Sequence, residues 1–170
     1  MVGPVTPADD RWKGPGGAPE RRGAGPVEPS PGPGSSAPIV VVLIDDRKLL
    51  GESLATAINA GTPDLVMIHR TGAEALADPA ALLRGTDIIL LSVGRAALTA
   101  APVERTLRRL LGPASHPPVA VLVDRAGPEP AAEARQLGLR GIVGGTMPLD
   151  GVVGALRRIH RGATVVLESS

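Results

Sequence analysis

Two adjacent carboxylates, Asp45 and Asp46, directly follow six apolar residues at positions 39–44. Such a run predicts a strand that is buried on both faces, as in the interior of a parallel sheet. Ligands bind at the carboxyl ends of the strands in open α/β sheets, so the position of the pair is that of a catalytic metal site. Two like charges at one edge repel each other unless a cation or a donor lies between them, and Arg47 and Arg125 are the candidates.

Other residues that could carry chemistry are few. Ser92 follows a second buried run, and Asp124 follows a third, where we expect a solvated loop residue rather than a ligand. The three histidines are far apart and show no ligand spacing, and the absence of cysteine excludes disulfides and thiolate metal sites. No glycine-rich phosphate loop follows the first strand, and no pair of nucleophile and base is visible. The sequence therefore predicts a protein that is not an enzyme.

Charge and composition limit the kinds of partner that this protein can have. The net charge of +1 gives no general attraction for nucleic acid or membrane, and no apolar run approaches the ~20 residues of a membrane span. We expect a cytoplasmic protein.

Residues 1–38 contain 17 Gly or Pro residues and predict a disordered tail, in which Trp12 is either a docking residue or simply exposed. The remaining domains are a folded region at 39–167 and a C-terminal end at 168–170.

The folded region alternates strands and helices. Apolar spacing and breakers predict strands at 39–44, 64–68, 87–91, 119–123 and 140–143, helices at 47–60, 71–83 (interrupted at Pro79), 102–111, 129–137 and 148–161, and a short extended terminus at 163–167. In the first helix we expect Leu49, Leu50, Leu54, Ala57 and Ile58 to form the apolar face. Right-handed crossovers predict a flavodoxin-like, doubly wound, five-stranded parallel sheet with strand order 2-1-3-4-5. Asp45, Asp46 and Ser92 would then converge at one crevice.

Four pieces of the folded region carry a family resemblance. They are Asp45-Asp46 after the first strand, Asp87-Ile-Ile-Leu-Leu-Ser92, Pro118-Val-Ala-Val-Leu-Val123 and Ala134-Arg-Gln-Leu-Gly-Leu-Arg-Gly-Ile-Val143. By their order and spacing, residues 39–167 resemble the receiver domain of bacterial two-component response regulators, of the LuxR or NarL type. The resemblance implies a CheY-like fold and a role in phosphorelay signal transduction and transcription regulation.

The resemblance also implies a phosphoryl-transfer site, and most of its positions are degenerate in this chain. The phosphoacceptor aspartate falls on Ser92, the hydroxyl position on Val123, the aromatic position on Ile142 and the lysine position on Gly145 or Gly144. Asp45 and Asp46 match the acidic pair that holds Mg²⁺ in the family. We therefore expect no catalytic residue and no cofactor, with Asp45 and Asp46 either as residual carboxylates at the sheet edge or as a weak divalent-metal site.

Two functional hypotheses follow from a receiver without its nucleophile. The first is phosphorylation-independent association with a protein partner or a second copy through helix faces. The second is a receiver that senses a small molecule at the sheet edge, in a pocket opened by Gly144 and Gly145. The basic residues of the third and fifth helices are either solvated or part of a partner surface; they are Arg105, Arg108, Arg109, Arg157, Arg158, His160 and Arg161.

The resemblance also bears on DNA and on the acidic pair. LuxR-type regulators carry a helix-turn-helix output module after the receiver. This sequence shows no recognition helix, so we expect no direct sequence-specific DNA binding. Because no apolar run is long enough to span a membrane, we also expect no membrane contact. If Asp45 and Asp46 are residual, replacing both by Asn should leave partner binding intact and stabilise the fold.

Overall fold

Strand β1 (Ile39–Ile44) lies inside a parallel sheet, between β2 (Leu65–Arg70) and β3 (Ile88–Gly94). We describe the protein from a computed structural model, which covers residues 36–125 and 128–166, except the side chains of residues 128 and 129. The last four residues of β1 are buried on both faces of the sheet, which confirms the prediction for this strand.

The remaining elements alternate along the chain as predicted. They are α1 (Lys48–Gly61), α2 (Gly72–Ala77), α3 (Pro79–Leu83), α4 (Ala101–Leu111), β4 (Val119–Val123), α5 (Pro128–Gln136), β5 (Gly141–Gly144), α6 (Leu149–His160) and β6 (Val165–Val166). The observed strand order, 2-1-3-4-5-6, confirms the flavodoxin-like topology. The predicted count of five strands is one too low, because Val165 and Val166 pair in parallel with Gly141 and Ile142.

Two aliphatic cores cover the two faces of the sheet. One includes Leu43 of β1, Ile58 of α1 and Leu156 of α6, and the other includes Ile89 of β3 and Leu107 of α4. The chain contains no Phe or Tyr. The described core therefore consists of branched aliphatic side chains, alanine and Met67, whose burial stabilises the domain by roughly 25 cal/mol per Å² of apolar surface.

Helix α1 has a different rotational phase from the predicted one. Leu49 and Leu50, expected on its apolar face, are 80% and 48% exposed. The buried residues are Gly51, Ala55 and Ile58, which recur at the helical spacing of four and three, so Ile58 lies on the buried face as predicted while Ala57 is exposed. The prediction that Leu49 and Leu50 pack inward is therefore wrong, because the helix presents its small Gly51 to the sheet.

The second predicted helix is broken at the position that Pro79 indicated. Thr71 caps α2 in a capping box with Glu74, and Asp78 caps α3 immediately before Pro79. Proline fits the first turn of a helix but not its interior, so one helix becomes two.

Some predictions fall outside the described residues. These are most of the tail predicted at 1–38, including Trp12, and the end predicted at 168–170. Among the helices of the described ranges, none combines the length and the apolar character that crossing a bilayer requires.

Candidate functional site

The candidate site lies where β1, β3, β4 and β5 end at one edge of the sheet. Asp45 follows β1 directly, and Ser92 lies in β3, opposite Leu122 of β4. The register of β1 with β3 places Ile44 opposite Leu91, so the residues that follow them are close in space. The predicted convergence of Asp45 and Ser92 is thus observed, although β3 continues to Gly94 rather than ending before Ser92.

Asp45 is a buried carboxylate, 4% exposed, whose partner is Arg47. Its Oδ1 accepts hydrogen bonds from the Arg47 backbone N–H at 2.8 Å and from Nε at 3.1 Å, and its Oδ2 accepts from Nη2 at 3.1 Å. This is a bidentate guanidinium–carboxylate pair, the strongest common geometry for such an interaction. A buried carboxylate needs this kind of partner because an unpaired charge is costly to desolvate.

The same guanidinium joins two further elements. Its Nη2 donates to Ser92 Oγ at 2.8 Å, and its Nη1 lies 3.8 Å from Asp124 Oδ1 in the loop after β4. Arg47 therefore links the ends of β1, β3 and β4. Asp124, predicted as a solvated loop residue, is 41% exposed and lies beside this cation.

The pKa of Asp45 reflects this environment. Burial raises it, but the hydrogen bonds from the side chain and backbone of Arg47 and from Ser92 lower it by more. The net result is a pKa below the usual range for aspartate. The hydrogen bond to Asp45 in turn raises the pKa of Arg47. The pair is thus ionised at neutral pH.

Asp46 has a different partner. It is exposed, and its Oδ1 accepts a hydrogen bond at 2.7 Å from the backbone N–H of Gly72, the first residue of α2. The two adjacent carboxylates therefore serve separate elements. Within the described residues, no group of three or more His, Asp or Glu side chains is arranged to hold a metal ion. The weak divalent-metal site at Asp45 and Asp46 stays a prediction.

His69 of β2 belongs to this site, although the sequence did not indicate it. Its Nε2 lies 2.8 Å from the Asp45 carbonyl oxygen, and it must donate the hydrogen bond because a carbonyl only accepts. The imidazole ring lies against Gly51 of α1, where an added Cβ atom would overlap it. The available signal was Gly51 itself, since a glycine inside a helix costs stability unless close packing requires it.

The β4 and β5 end of the edge is apolar. Val123 is 5% exposed and Ile142 is fully buried, so the side chains at two switch positions are packed in the core. Gly145 donates its backbone N–H to the Val123 carbonyl oxygen at 2.6 Å, which draws the loop after β5 onto the end of β4. These positions supply neither a side-chain hydroxyl nor an ammonium group.

A cavity of about 350 Å³ opens beside Gly144 and Gly145. Its apolar lining comes from α1, β4, the loop after β5 and the start of α6, and includes Leu54, Leu122 and Met147. Its charged lining residues are Asp45, Arg47 and Asp124. The size falls at the lower end of the range typical for small-molecule sites.

Two of the basic residues of α4 and α6 form ion pairs within the domain. Arg108 pairs with Glu104 within α4, and Arg157 of α6 makes a bidentate pair with Asp64 at 2.9 and 2.7 Å. The other basic residues on these helices are exposed; they are Arg105, Arg109, Arg158, His160 and Arg161. Whether they form a partner surface stays a prediction.

Comparison with known proteins identifies the fold. No protein-family model and no curated protein sequence matches the chain significantly. Among solved structures, a LuxR family DNA-binding response regulator from Silicibacter pomeroyi is 21% identical, with a TM-score of 0.62 over 78% of this chain and 99% of that one. A chain in the complex of the CheA3 P1 domain with CheY6 from R. sphaeroides is 28% identical, with a TM-score of 0.57 over 75% and 100% of the two chains.

A third neighbour is the Vibrio cholerae chemotaxis protein CheY4, 18% identical, with a TM-score of 0.57 over 72% and 99% of the two chains. These structures cover most of the chain and share its topology. The described domain has the fold of a response-regulator receiver domain. The described residues form this fold alone and contain no output domain.

Proposed function

We propose that this chain is an atypical receiver domain that acts in two-component-type signalling by phosphorylation-independent protein association. Its receiver-domain neighbours support the signalling role. The observation that carries the atypical mode is Ser92 at the phosphoacceptor position, with Val123 and Gly145 where a hydroxyl and a lysine would bind the phosphoryl group. In this proposal the chain has no catalytic activity of its own.

The chemistry of Ser92 supports this proposal. Transfer of a phosphoryl group to an aspartate needs a carboxylate nucleophile, and a serine hydroxyl needs a neighbouring general base. The carboxylate next to it, Asp45, has a lowered pKa and is held by Arg47, which makes it a weak base. The Ser92 hydroxyl oxygen itself accepts a hydrogen bond from Arg47, which withdraws electron density from the would-be nucleophile.

Protein partners fit this fold. The R. sphaeroides neighbour is a structure of the CheA3 P1 domain in complex with CheY6, that is, of a protein–protein complex. We propose that this chain contacts a protein partner or a second copy through its helix faces, in the cytoplasm and in the control of transcription. Sequence-specific DNA recognition by the described domain is not part of the proposal.

Exposure to a small phosphoryl donor tests the loss of phosphorylation. The full chain is incubated with acetyl phosphate and Mg²⁺, and its intact mass is measured beside that of a Ser92→Asp variant. We expect no added phosphoryl group on the wild-type chain and an unchanged sedimentation coefficient. A stable phosphoryl adduct on the wild-type chain would contradict the proposal, whatever the variant does.

The cavity beside Gly144 and Gly145 favours a second candidate function, the sensing of a small molecule. Leucine and methionine side chains would pack against an apolar body, while Asp45, Arg47 and Asp124 offer hydrogen-bond partners to a polar group at one end of the ligand. A thermal-shift screen of cell metabolites tests it, since a ligand at 100 times its dissociation constant adds ~2.7 kcal/mol of stability. A Leu54→Phe variant, which fills the cavity, serves as the control and should lose the shift. A broad panel that produces no shift in the wild type counts against this candidate.

A further inference from the structure

The Arg47 guanidinium lies at the acidic end of β1, where receivers hold a divalent cation. It contacts both oxygens of Asp45, the hydroxyl of Ser92 and, at 3.8 Å, the carboxylate of Asp124. We propose that Arg47 is a built-in cation that takes the place of the metal, so that this corner of the sheet is closed to Mg²⁺. The inference holds whether or not the chain acts by protein association.

The available oxygen ligands do not fit Mg²⁺. This ion demands near-octahedral oxygen coordination at roughly 2.0–2.1 Å, keeps several of its waters and binds to proteins through one or two accessible carboxylates. Arg47 alone already donates three hydrogen bonds to the two oxygens of Asp45. Asp46, the second residue of the acidic pair, accepts from the Gly72 amide and stabilises the start of α2. A metal at Asp45 would therefore have to displace the guanidinium and recruit Asp46 away from α2.

Electrostatics favours the guanidinium over an ion from solution. A positive charge at hydrogen-bond distance from Asp45 repels a second cation, and the planar fork of arginine matches a carboxylate in two places at once. Arg47 is also tethered two residues from Asp45, so its pairing with the carboxylate is intramolecular, whereas Mg²⁺ must bind from solution. The backbone N–H of Arg47 binds the same carboxylate and fixes the turn that holds the side chain in place.

The structure offers a matched control for the charge itself. Arg125 is exposed at the same edge, in the loop after β4, and no hydrogen bond or ion pair to Asp45 is found for it in the described part of the chain. Removing Arg125 takes one positive charge from this edge without opening the Asp45 carboxylate. An effect specific to Arg47 must therefore come from its contacts with Asp45, Ser92 and Asp124.

A Mn²⁺ titration of the full chain, followed by paramagnetic broadening of backbone amide signals, tests the proposal. In the wild type and in Arg125→Ala, we expect no saturable broadening centred on Asp45 and Ser92. In Arg47→Ala, we expect such broadening, with affinity for Mn²⁺ at least about tenfold higher than in the wild type, because a unit charge a few ångströms away is removed. Arg47→Gln serves as a second variant that keeps a polar side chain, and circular dichroism checks that each variant is folded.

Two results would overturn the proposal. The first is saturable broadening at Asp45 and Ser92 in the wild-type chain, which would show that the metal binds despite Arg47. The second is a pair of folded Arg47 variants that bind Mn²⁺ no better than the wild type, which would show that the guanidinium is not what excludes the ion.

Discussion

The carboxyl edge of the sheet has two halves that differ in chemistry. In the first, at the ends of β1 and β3, Asp45, Arg47 and Ser92 form a connected network of charged hydrogen bonds. In the second, at the ends of β4 and β5, Leu122, Gly144 and Gly145 border a cavity of about 350 Å³ with a largely apolar lining. The first half is closed by polar contacts, whereas the second opens onto a cavity whose charged lining residues, Asp45, Arg47 and Asp124, lie on its border with the first half.

We expect the first half of the edge to contribute mainly to the stability of the fold and the second half mainly to binding. Contacts in the first half join β1, β2, β3 and α1, so we expect substitutions there to lower the free energy of unfolding. The second half has room beside it, so we expect it to tolerate changes in side-chain volume and to accept a ligand or a partner. Four predictions test this division, beginning with the largest expected effect.

Replacing Asp45 by Ala should lower the free energy of unfolding by about 2 kcal/mol. The change removes a bidentate pair and leaves Arg47 without its main partner. The loss is smaller than for a fully buried pair because Arg47 is 48% exposed and solvent screens its charge. Urea denaturation followed by circular dichroism measures the effect. This expectation replaces, for Asp45, the sequence-based one that Asn at both aspartates stabilises the fold.

Asp46→Ala is the comparison for this variant. It removes one exposed hydrogen bond to Gly72, so we expect a loss of about 0.5–1 kcal/mol. Equal losses for the two variants would contradict the distinct roles that we assign to the two carboxylates.

Gly51→Ala should cost a net 1–2 kcal/mol, roughly, although alanine is the better helix former. The added Cβ overlaps the His69 ring that binds the Asp45 carbonyl, and overpacking of this kind costs about 1–3 kcal/mol. The same denaturation experiment measures it. In α6, Gly154→Ala should instead stabilise the protein by about 0.5–1 kcal/mol, since a Cβ there meets no other described atom within 4 Å. Stabilisation by both variants would show that His69 moves aside without loss.

Leu54→Phe should change the free energy of unfolding by less than about 1 kcal/mol. Leu54 is only half-buried and lines the cavity, so the larger ring has space to occupy. The control is Ile58→Phe, four residues further along α1, where the side chain is fully buried and the same ring should cost about 1–3 kcal/mol. Similar losses at both positions in a thermal melt would mean that the second half of the edge is not open.

The smallest effect concerns pH. The pKa of Asp45 is lower in the folded chain than in the unfolded one, so its pairing stabilises the fold above the unfolded pKa and stops doing so as pH falls through the folded pKa. Wild type and Asp45→Asn should therefore differ in stability at about pH 6 and converge under acid conditions. Denaturation curves along a pH series provide the test; Glu74 and Asp64 titrate in both proteins and cancel in the difference. A difference that grows as pH falls would have the wrong sign.

The sequence predicted the scaffold well because buried strands leave a strong signal. The short, mostly β-branched apolar runs before Asp45, Ser92 and Asp124 favour inner strands, and their order along the chain determined which residues meet at the edge. Pro79 likewise marked the break between α2 and α3. These features depend on local residue types, which periodicity detects.

The details of the site depended on contacts between distant residues. Arg47 was one of two candidate donors for the acidic pair, and only the turn after β1 shows that it, and not Arg125, contacts Asp45. His69 meets Gly51 and Asp45 through tertiary packing, which also fixes the phase of α1 and exposes Leu49. A single sequence carries no signal for such three-way packing beyond the presence of a glycine inside a helix.

The purely aliphatic core has a practical consequence. With neither Phe nor Tyr in the chain, and with Trp12 as its single tryptophan, the described domain contains no side chain that absorbs appreciably in the near ultraviolet. An aromatic compound in the cavity beside Gly145 would thus be observed by its own absorption and induced circular dichroism, almost without protein background. A near-ultraviolet signal in such a screen would therefore come from the ligand and not from the side chains of the described domain.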